Sequence, residues 1–425
     1  MTNWLKSGLV KSVAVFTVTN FINAAIPFLL LPLLTNYLSP GDYALVAMFQ
    51  ILVNFTLPLV GLNTNSAIVR SYYDKDDIDD FGAYIGNVLM VLLPSTIVIL
   101  LLFFLFETYI EQASAFPGGF LWVIVVLCLF QKVSELILSI WRVEQQAVKF
   151  GIFNILKTSV DVGASIFFII MLKHSWEGRI EGQVAAAGLF AIIASGLLIK
   201  ENRVKLKLNF DYMRHALKFG VPLIPHTLSS IIIAYSDRLF ITHMVGLDQM
   251  GIYSVGYQIG MVISLLQNSF NQAWTPWFFE KLNEGKIEVK QKIVKITYAY
   301  IVVILVLVAV FYLFVPFIMS VFIGNQYVDA AQFILWIALG FAFNGIYKMF
   351  VGYLFYLKKT NHIAVVTIIT ALINIGLNYI FISDYGTIGA AYATCISFFI
   401  QVLIVWGVSL RMYKMPWFNP YGKLC

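Results

Sequence analysis

Long apolar runs, broken by short polar or turn-forming stretches, dominate the pattern of this chain. A helix crossing roughly 30 Å of hydrocarbon needs about 20 such residues. Runs of that kind begin near residues 8, 43, 82, 119, 150, 181, 216, 250, 291, 330, 362 and 389. The breaks carry turn chemistry, as in Ser39-Pro40-Gly41-Asp42, Pro117-Gly118-Gly119, Gly246-Leu247-Asp248 and Asp384-Tyr385-Gly386. Nothing in the runs alternates with a period of two, which argues against a membrane barrel. The pattern predicts an all-α integral membrane protein of about twelve transmembrane helices. No small-residue cleavage site separates Met1–Lys11 from the next loop, so the first run is expected to be a retained helix and not a removed leader.

Composition agrees: hydrophobic residues make up 60% of the 425 positions and charged residues only 12%, with a mean hydropathy of +0.84. The net charge is +6, but the basic residues form short strips between apolar runs instead of one basic face, which argues against a nucleic-acid partner. They fall in alternate loops. One set holds Lys6, Lys11, Arg70, Lys75, Arg142, Lys149, the cations of the 200–218 connection, those of 281–295, Lys358, Lys359, Arg411, Lys414 and Lys423; the other holds only Lys173 and Arg179. Cationic loops stay on the cytoplasmic side, so both termini are expected in the cytoplasm, which requires an even number of helices. Cys128, Cys395 and Cys425 form no Cys-x-x-Cys pair, and neither a disulfide nor a zinc site is expected.

The connection from about Lys200 to Lys218 lies near mid-chain, and the two sides echo each other. Asn65 to Lys75 aligns with Asn271 to Lys281, and Gly178-Arg179-Ile180-Glu181-Gly182 with Gly386-Thr387-Ile388-Gly389. The expected organisation is a duplicated unit: an N-terminal six-helix lobe, 1–203, and a C-terminal six-helix lobe, 204–425. An even number of helices per copy gives both the same orientation, as parallel repeats around a central cleft.

Four cations fall inside apolar runs. On insertion scales such a charge costs roughly 2.5 to 3.5 kcal/mol, so each needs protein or water around it. Lys132 and Glu135 are three apart and Lys157 and Asp161 four apart, spacings that put each pair on one helix face. Arg238 follows Asp237 directly; sequence neighbours point apart, so each is expected to find a partner elsewhere. Lys348 has no carboxylate within four residues. Lined up across the bilayer, Lys132, Lys157, Arg238 and Lys348 would suit an anionic phosphate or pyrophosphate; the alternative is neutralisation inside each lobe. Asn271 and Asn344, with Asn20, Asn23 and Asn268, suit sugar hydroxyls or helix-to-helix bonds equally. His226 and His243 are too sparse for a metal site and read as packing residues or proton acceptors. Pro27 and Pro32, and Pro222 and Pro225, sit in corresponding first helices, as hinges or static kinks. The stretch Phe278–Lys295 mixes aromatics with lysines, as a segment resting on membrane lipid headgroups would. There is no phosphate-binding glycine-lysine loop and no nucleophile elbow, so neither a cofactor nor covalent catalysis is expected.

The string Leu38-Ser39-Pro40-Gly41-Asp42-Tyr43, the seventh-run string Tyr235-Ser236-Asp237-Arg238-Leu239-Phe240, Val245-Gly246-Leu247 with Gly251-Ile252-Tyr253-Ser254, and Gly386–Ala393 resemble the polysaccharide and O-antigen flippases (Wzx type) of the multidrug/oligosaccharidyl-lipid/polysaccharide exporter superfamily. Ala44 stands where that family often has Gly. The resemblance implies a V-shaped pair of lobes in a bacterial cytoplasmic (inner) membrane. It also implies transport of an undecaprenyl-pyrophosphate-linked oligosaccharide to the periplasmic leaflet, with cations lining the cleft and polysaccharide polymerase machinery as a partner. Two other classes stay open: a cation-coupled multidrug exporter of the same superfamily, which would need acids such as Asp161 or Asp237, and a membrane glycan-polymerising enzyme.

Overall fold

The computed structural model describes residues 26, 28, 30–72 and 78–417, except for the side chains of His226, Ser230, Ile233 and Thr360. Pro27, Asn20 and Asn23 therefore lie outside the described residues, as does the His226 side chain. Each of the twelve apolar runs falls on a helix or a broken helix pair, the first only through its end. The helices are α1 (30–37), α2 (Pro40–Thr56), α3 (Asn65–Ser71), α4 (Phe81–Leu105), α5 (Glu107–Ser114), α6 (Leu121–Val143), α7 (Ala147–Ile166) and α8 (Trp176–Lys200). They continue with α9 (Phe210–Gly220), α10 (Ile224–Met244), α11 (Leu247–Gly260), α12 (Val262–Asn283), α13 (Ile287–Phe322), α14 (Ala331–Tyr356), α15 (Thr360–Tyr385) and α16 (Thr387–Met412). Eight helices among the described residues are long and apolar enough to cross a membrane, and a ninth span is reached if Phe210–Ser229 and Ala234–Met244 count as one. The large side chains that α4 and α13 leave exposed, such as Leu93, Phe104, Leu105, Val302, Leu313 and Phe317, are hydrocarbon. A surface of that kind is stable against lipid, not water.

Local chemistry sets the boundaries. Ser39 and Asp42 form a reciprocal capping box at the start of α2, with the Ser39 Oγ accepting from the Asp42 N–H at 3.1 Å and Pro40 in the first turn. Gly386, between α15 and α16, has φ +67°, a left-handed conformation that favours glycine. Pro222 lies in a 3-10 turn, Val221–Leu223, that separates α9 from α10, and Pro225 opens α10. Phe278–Lys295 is the end of α12, a turn at Gly285 and the start of α13, with Phe278 buried in the core.

The described chain divides between Tyr235 and Ser236 into two compact units. In the first, α6 packs on α3, α4 and α8, and α7 on α8; in the second, α14 packs on α12, α13 and α16, and α15 on α16. The same pairing recurs in the same order, which is the structural form of the internal repeat. The 200–218 connection packs on the first unit: the Lys205 N–H donates to Gly82 O at 3.0 Å, the Asn87 Nδ2 to Lys207 O at 2.8 Å, and Lys205 Nζ meets Asp80 at 2.9 Å. The Lys205 ammonium, then the Ala83 N–H, hold the Asp80 carboxyl below the ordinary carboxylate range. That contribution is present above the ordinary value and is lost as the pH falls through the lowered one.

The glycine echoes have a packing role. A Cβ at Gly182 of α8 would lie 2.5 Å from the Ser165 nitrogen of α7, and one at Gly389 of α16 would lie 2.0 Å from the Phe381 oxygen of α15. Both hairpins close by backbone approach, the usual device where hydrocarbon surrounds the helices. Gly389→Val is therefore expected to destabilise the purified protein by about 1–3 kcal/mol through overpacking, whereas Gly376→Ala, with nothing within 4 Å, should leave it unchanged or slightly stabilised. Thermal unfolding in detergent checks both, and equal midpoints would contradict the close-approach account.

Candidate functional site

The internal charges begin from side chains that hydrocarbon cannot solvate, and the structure shows where each finds a partner. On α6, Lys132 is buried at 4% exposure and its Nζ meets Glu135 Oε2 at 2.9 Å. Asn65 of α3 adds a bond to the same carboxylate at 3.2 Å. The i,i+3 spacing was sufficient to expect this pair.

The second expected pair is not formed. Asp161 of α7 instead accepts both arms of Arg179 from α8, at 2.5 and 3.2 Å, and the Arg179 Nη1 also reaches Ser165 at 2.7 Å. A planar guanidinium matches a carboxylate bidentately, which a lysine one turn away on the same helix cannot do. Lys157 thus makes no direct ion pair among the described residues, although the charges of Asp161 and Glu135 still act on it.

The expectation that Asp237 and Arg238 seek separate partners is also corrected. Arg238 Nη1 lies 3.0 Å from Asp237 Oδ1, and the Arg238 N–H donates to the same oxygen at 2.8 Å. The arginine chain is long enough to fold back on its neighbour. Tyr253 of α11 donates to Asp237 Oδ2 at 2.7 Å, and the guanidinium stacks 4.0 Å from the centroid of the Tyr257 ring. Both charges are nearly fully buried. The tyrosines were missed in the sequence, because Tyr253 and Tyr257 look like ordinary apolar-helix aromatics until α11 is folded against α10.

Lys348 differs. It sits half-buried on α14 and donates to the Asn268 Oδ1 of α12; among the described residues it has no carboxylate partner. One turn away Asn344 accepts from Gln267 at 3.3 Å, while the Asn271 carbonyl oxygen accepts from Thr275 at 2.8 Å. The α12–α14 seam is therefore a polar strip of amides around one cation, able to present N–H donors and a positive charge together. Deeper in the second unit, Asn374 links Ser397 at 3.2 Å and Asn378 at 3.0 Å.

In the first unit the sequence reading overlooked a row of neutral groups. Gln183 of α8 donates to Gln50 of α2 at 3.3 Å, Gln50 to Asn54 at 3.4 Å, and Asn54 to the Tyr235 hydroxyl of α10 at 3.0 Å. The i,i+4 spacing of Gln50 and Asn54 in an apolar run was the available signal. Among the described residues no group of three or more His, Cys, Asp or Glu could hold a metal.

The model of the family described as "Polysaccharide biosynthesis protein" matches residues 9–283 of this chain. The chain belongs to that family. The MatE model matches residues 222–380. A protein of the Lsg locus of Haemophilus influenzae is 24% identical over 373 residues, 85% of this chain and 88% of the relative. A Haloferax volcanii protein named "Probable low-salt glycan biosynthesis flippase Agl15" is 20% identical over 402 residues, 93% of this chain and 82% of the relative. Among solved structures, the lipid II flippase MurJ in an inward closed conformation aligns with TM-score 0.73 at 16% identity, covering 95% of this chain and 90% of that one. An inward-facing multidrug resistance transporter of the MATE family aligns with TM-score 0.71 at 16% identity, covering 93% and 94%. The fold is thus that of the multidrug/oligosaccharidyl-lipid/polysaccharide exporters, and fold likeness does not separate flippase from drug exporter.

Removing one member of a buried pair strands the other charge, a loss of about 3–5 kcal/mol. Asp237→Ala should therefore lower the yield and thermal stability of purified protein sharply, and Asp237→Ala with Arg238→Met should recover much of it. A double variant as unstable as the single one would refute a self-contained pair.

Proposed function

We propose that this protein is a flippase for an undecaprenyl-pyrophosphate-linked oligosaccharide, moving the repeat unit of a surface polysaccharide from the cytoplasmic to the periplasmic leaflet of a bacterial inner membrane by alternating access. Both termini are cytoplasmic in this reading. The observation that carries it is Lys348, a half-buried cation on a membrane-length helix that meets an amide oxygen and, among the described residues, no carboxylate. A cation kept without an acid is supplied for an anion that arrives. Lys157, whose expected acid is taken by Arg179, is the cation of the first unit without a directly bonded acid among the described residues. Lys132 and Arg238 are already neutralised by Glu135 and Asp237, so their role is structural, while each unit keeps one cation, Lys157 in the first and Lys348 in the second, as a candidate contact for the pyrophosphate. The family's polysaccharide assignment and the relative named as a glycan flippase support the cargo.

The reading as a cation-coupled drug exporter needs an acid ready to bind the coupling ion. Asp161 and Asp237 are each engaged by an arginine, which favours the flippase. No covalent step is assigned to any residue; a polymerase acting on the delivered repeat unit is the natural partner.

Lys348→Gln and Lys157→Gln should each lower surface polysaccharide several-fold at unchanged protein abundance, and the double variant should abolish it, while Lys348→Arg keeps most of it. Immunoblotting of surface glycan beside membrane protein levels reads the outcome. Normal glycan in the double variant would remove both lysines from the path.

A further inference from the structure

The row Gln183–Gln50–Asn54–Tyr235 has no part in neutralising charge or in the cationic seam. It brings together four neutral hydrogen-bonding side chains from α8, α2 and α10, all half-buried and so still reachable at the surface of the first unit. Using the 1.5 Å rise per residue, they lie about 10 to 21 Å in from the Trp176, Pro40 and Met244 ends of their helices. Hydrocarbon would offer these amides nothing there, so their bonding capacity must be used by protein, water or cargo.

Among the described residues, protein uses part of the capacity of the three amides. Each primary amide carries two N–H donors and an acceptor oxygen. Gln50, Asn54 and Gln183 each give one donor to the row, through bonds of 3.4, 3.0 and 3.3 Å. Two of these are longer than the usual 2.9–3.0 Å for such a bond.

The chemistry of the row selects its ligand class. It holds no charge, and Arg179, one turn from Gln183, is occupied by Asp161, so a phosphate is poorly served. Donors and acceptors in alternation suit groups that both give and take a hydrogen bond, and a tyrosine ring offers an apolar face to C–H bonds. Those are the features of a sugar ring.

We propose that Gln50, Asn54, Gln183 and Tyr235 form a hydroxyl-binding subsite for the glycan part of the cargo, separate from the lysines that take its pyrophosphate. This rests on the flippase reading and adds that sugar recognition is built into the first unit. The test measures binding of full-length protein in detergent to two probes, undecaprenyl pyrophosphate and undecaprenyl-pyrophosphoryl-N-acetylglucosamine. Wild-type protein should bind the sugar-bearing lipid about tenfold more tightly. In Gln50→Leu with Asn54→Leu the ratio should fall to near one, with affinity for the bare lipid within twofold of wild type. Gln183→Ala, a milder change at the end of the row, should reduce the ratio two- to threefold and serves if the double variant does not fold. A ratio of one in wild type, or an unchanged ratio in the variants even with a lower unfolding midpoint, would overturn the subsite and leave the row as a helix bridge. Absence of binding of either lipid to wild type would overturn the flippase reading instead.

Discussion

A cation on a helix in hydrocarbon is unfavourable by roughly 2.5–3.5 kcal/mol on insertion scales, and that penalty governs where every internal charge of this chain rests. Lys132 is matched by Glu135, Arg179 by Asp161 and Arg238 by Asp237. After those three pairs, Lys157 and Lys348 have no directly bonded acid among the described residues. They stand on α7 of the first unit and α14 of the second. Those two are the cations on which the proposed reading rests.

Close helix approach supports the same arrangement. Gly182 and Gly389 bring α8 onto α7 and α16 onto α15 at backbone distance, in the same place in each unit. The duplicated pairing places an asparagine-bearing helix beside a lysine-bearing one in each copy: Asn65 beside Lys132 and Glu135, Asn268 beside Lys348. Among the described residues only the first of these seams holds an acid.

The helix count, the turn positions and the repeat were legible because hydrocarbon imposes length and composition on each span, and turn residues punctuate them. The pair Lys132–Glu135 was legible because its spacing lies within one helix. Asp161–Arg179 was not, since it joins two helices and wins through bidentate geometry that spacing does not encode. The Asp237–Arg238 contact was hidden by a rule about Cβ directions that a long, flexible arginine evades. The amide row escaped notice because Gln183, Gln50 and Tyr235 are far apart in sequence and each is unremarkable alone.

The most direct test of the account is transport itself. Purified protein would be reconstituted into phospholipid vesicles with a fluorescent undecaprenyl-pyrophosphate-linked oligosaccharide confined to the inner leaflet, and the label followed with a membrane-impermeant quencher. The account predicts that quenching develops over the time course in protein-containing vesicles and fails with Lys157 and Lys348 both changed to glutamine. Quenching no faster than in protein-free vesicles would contradict it.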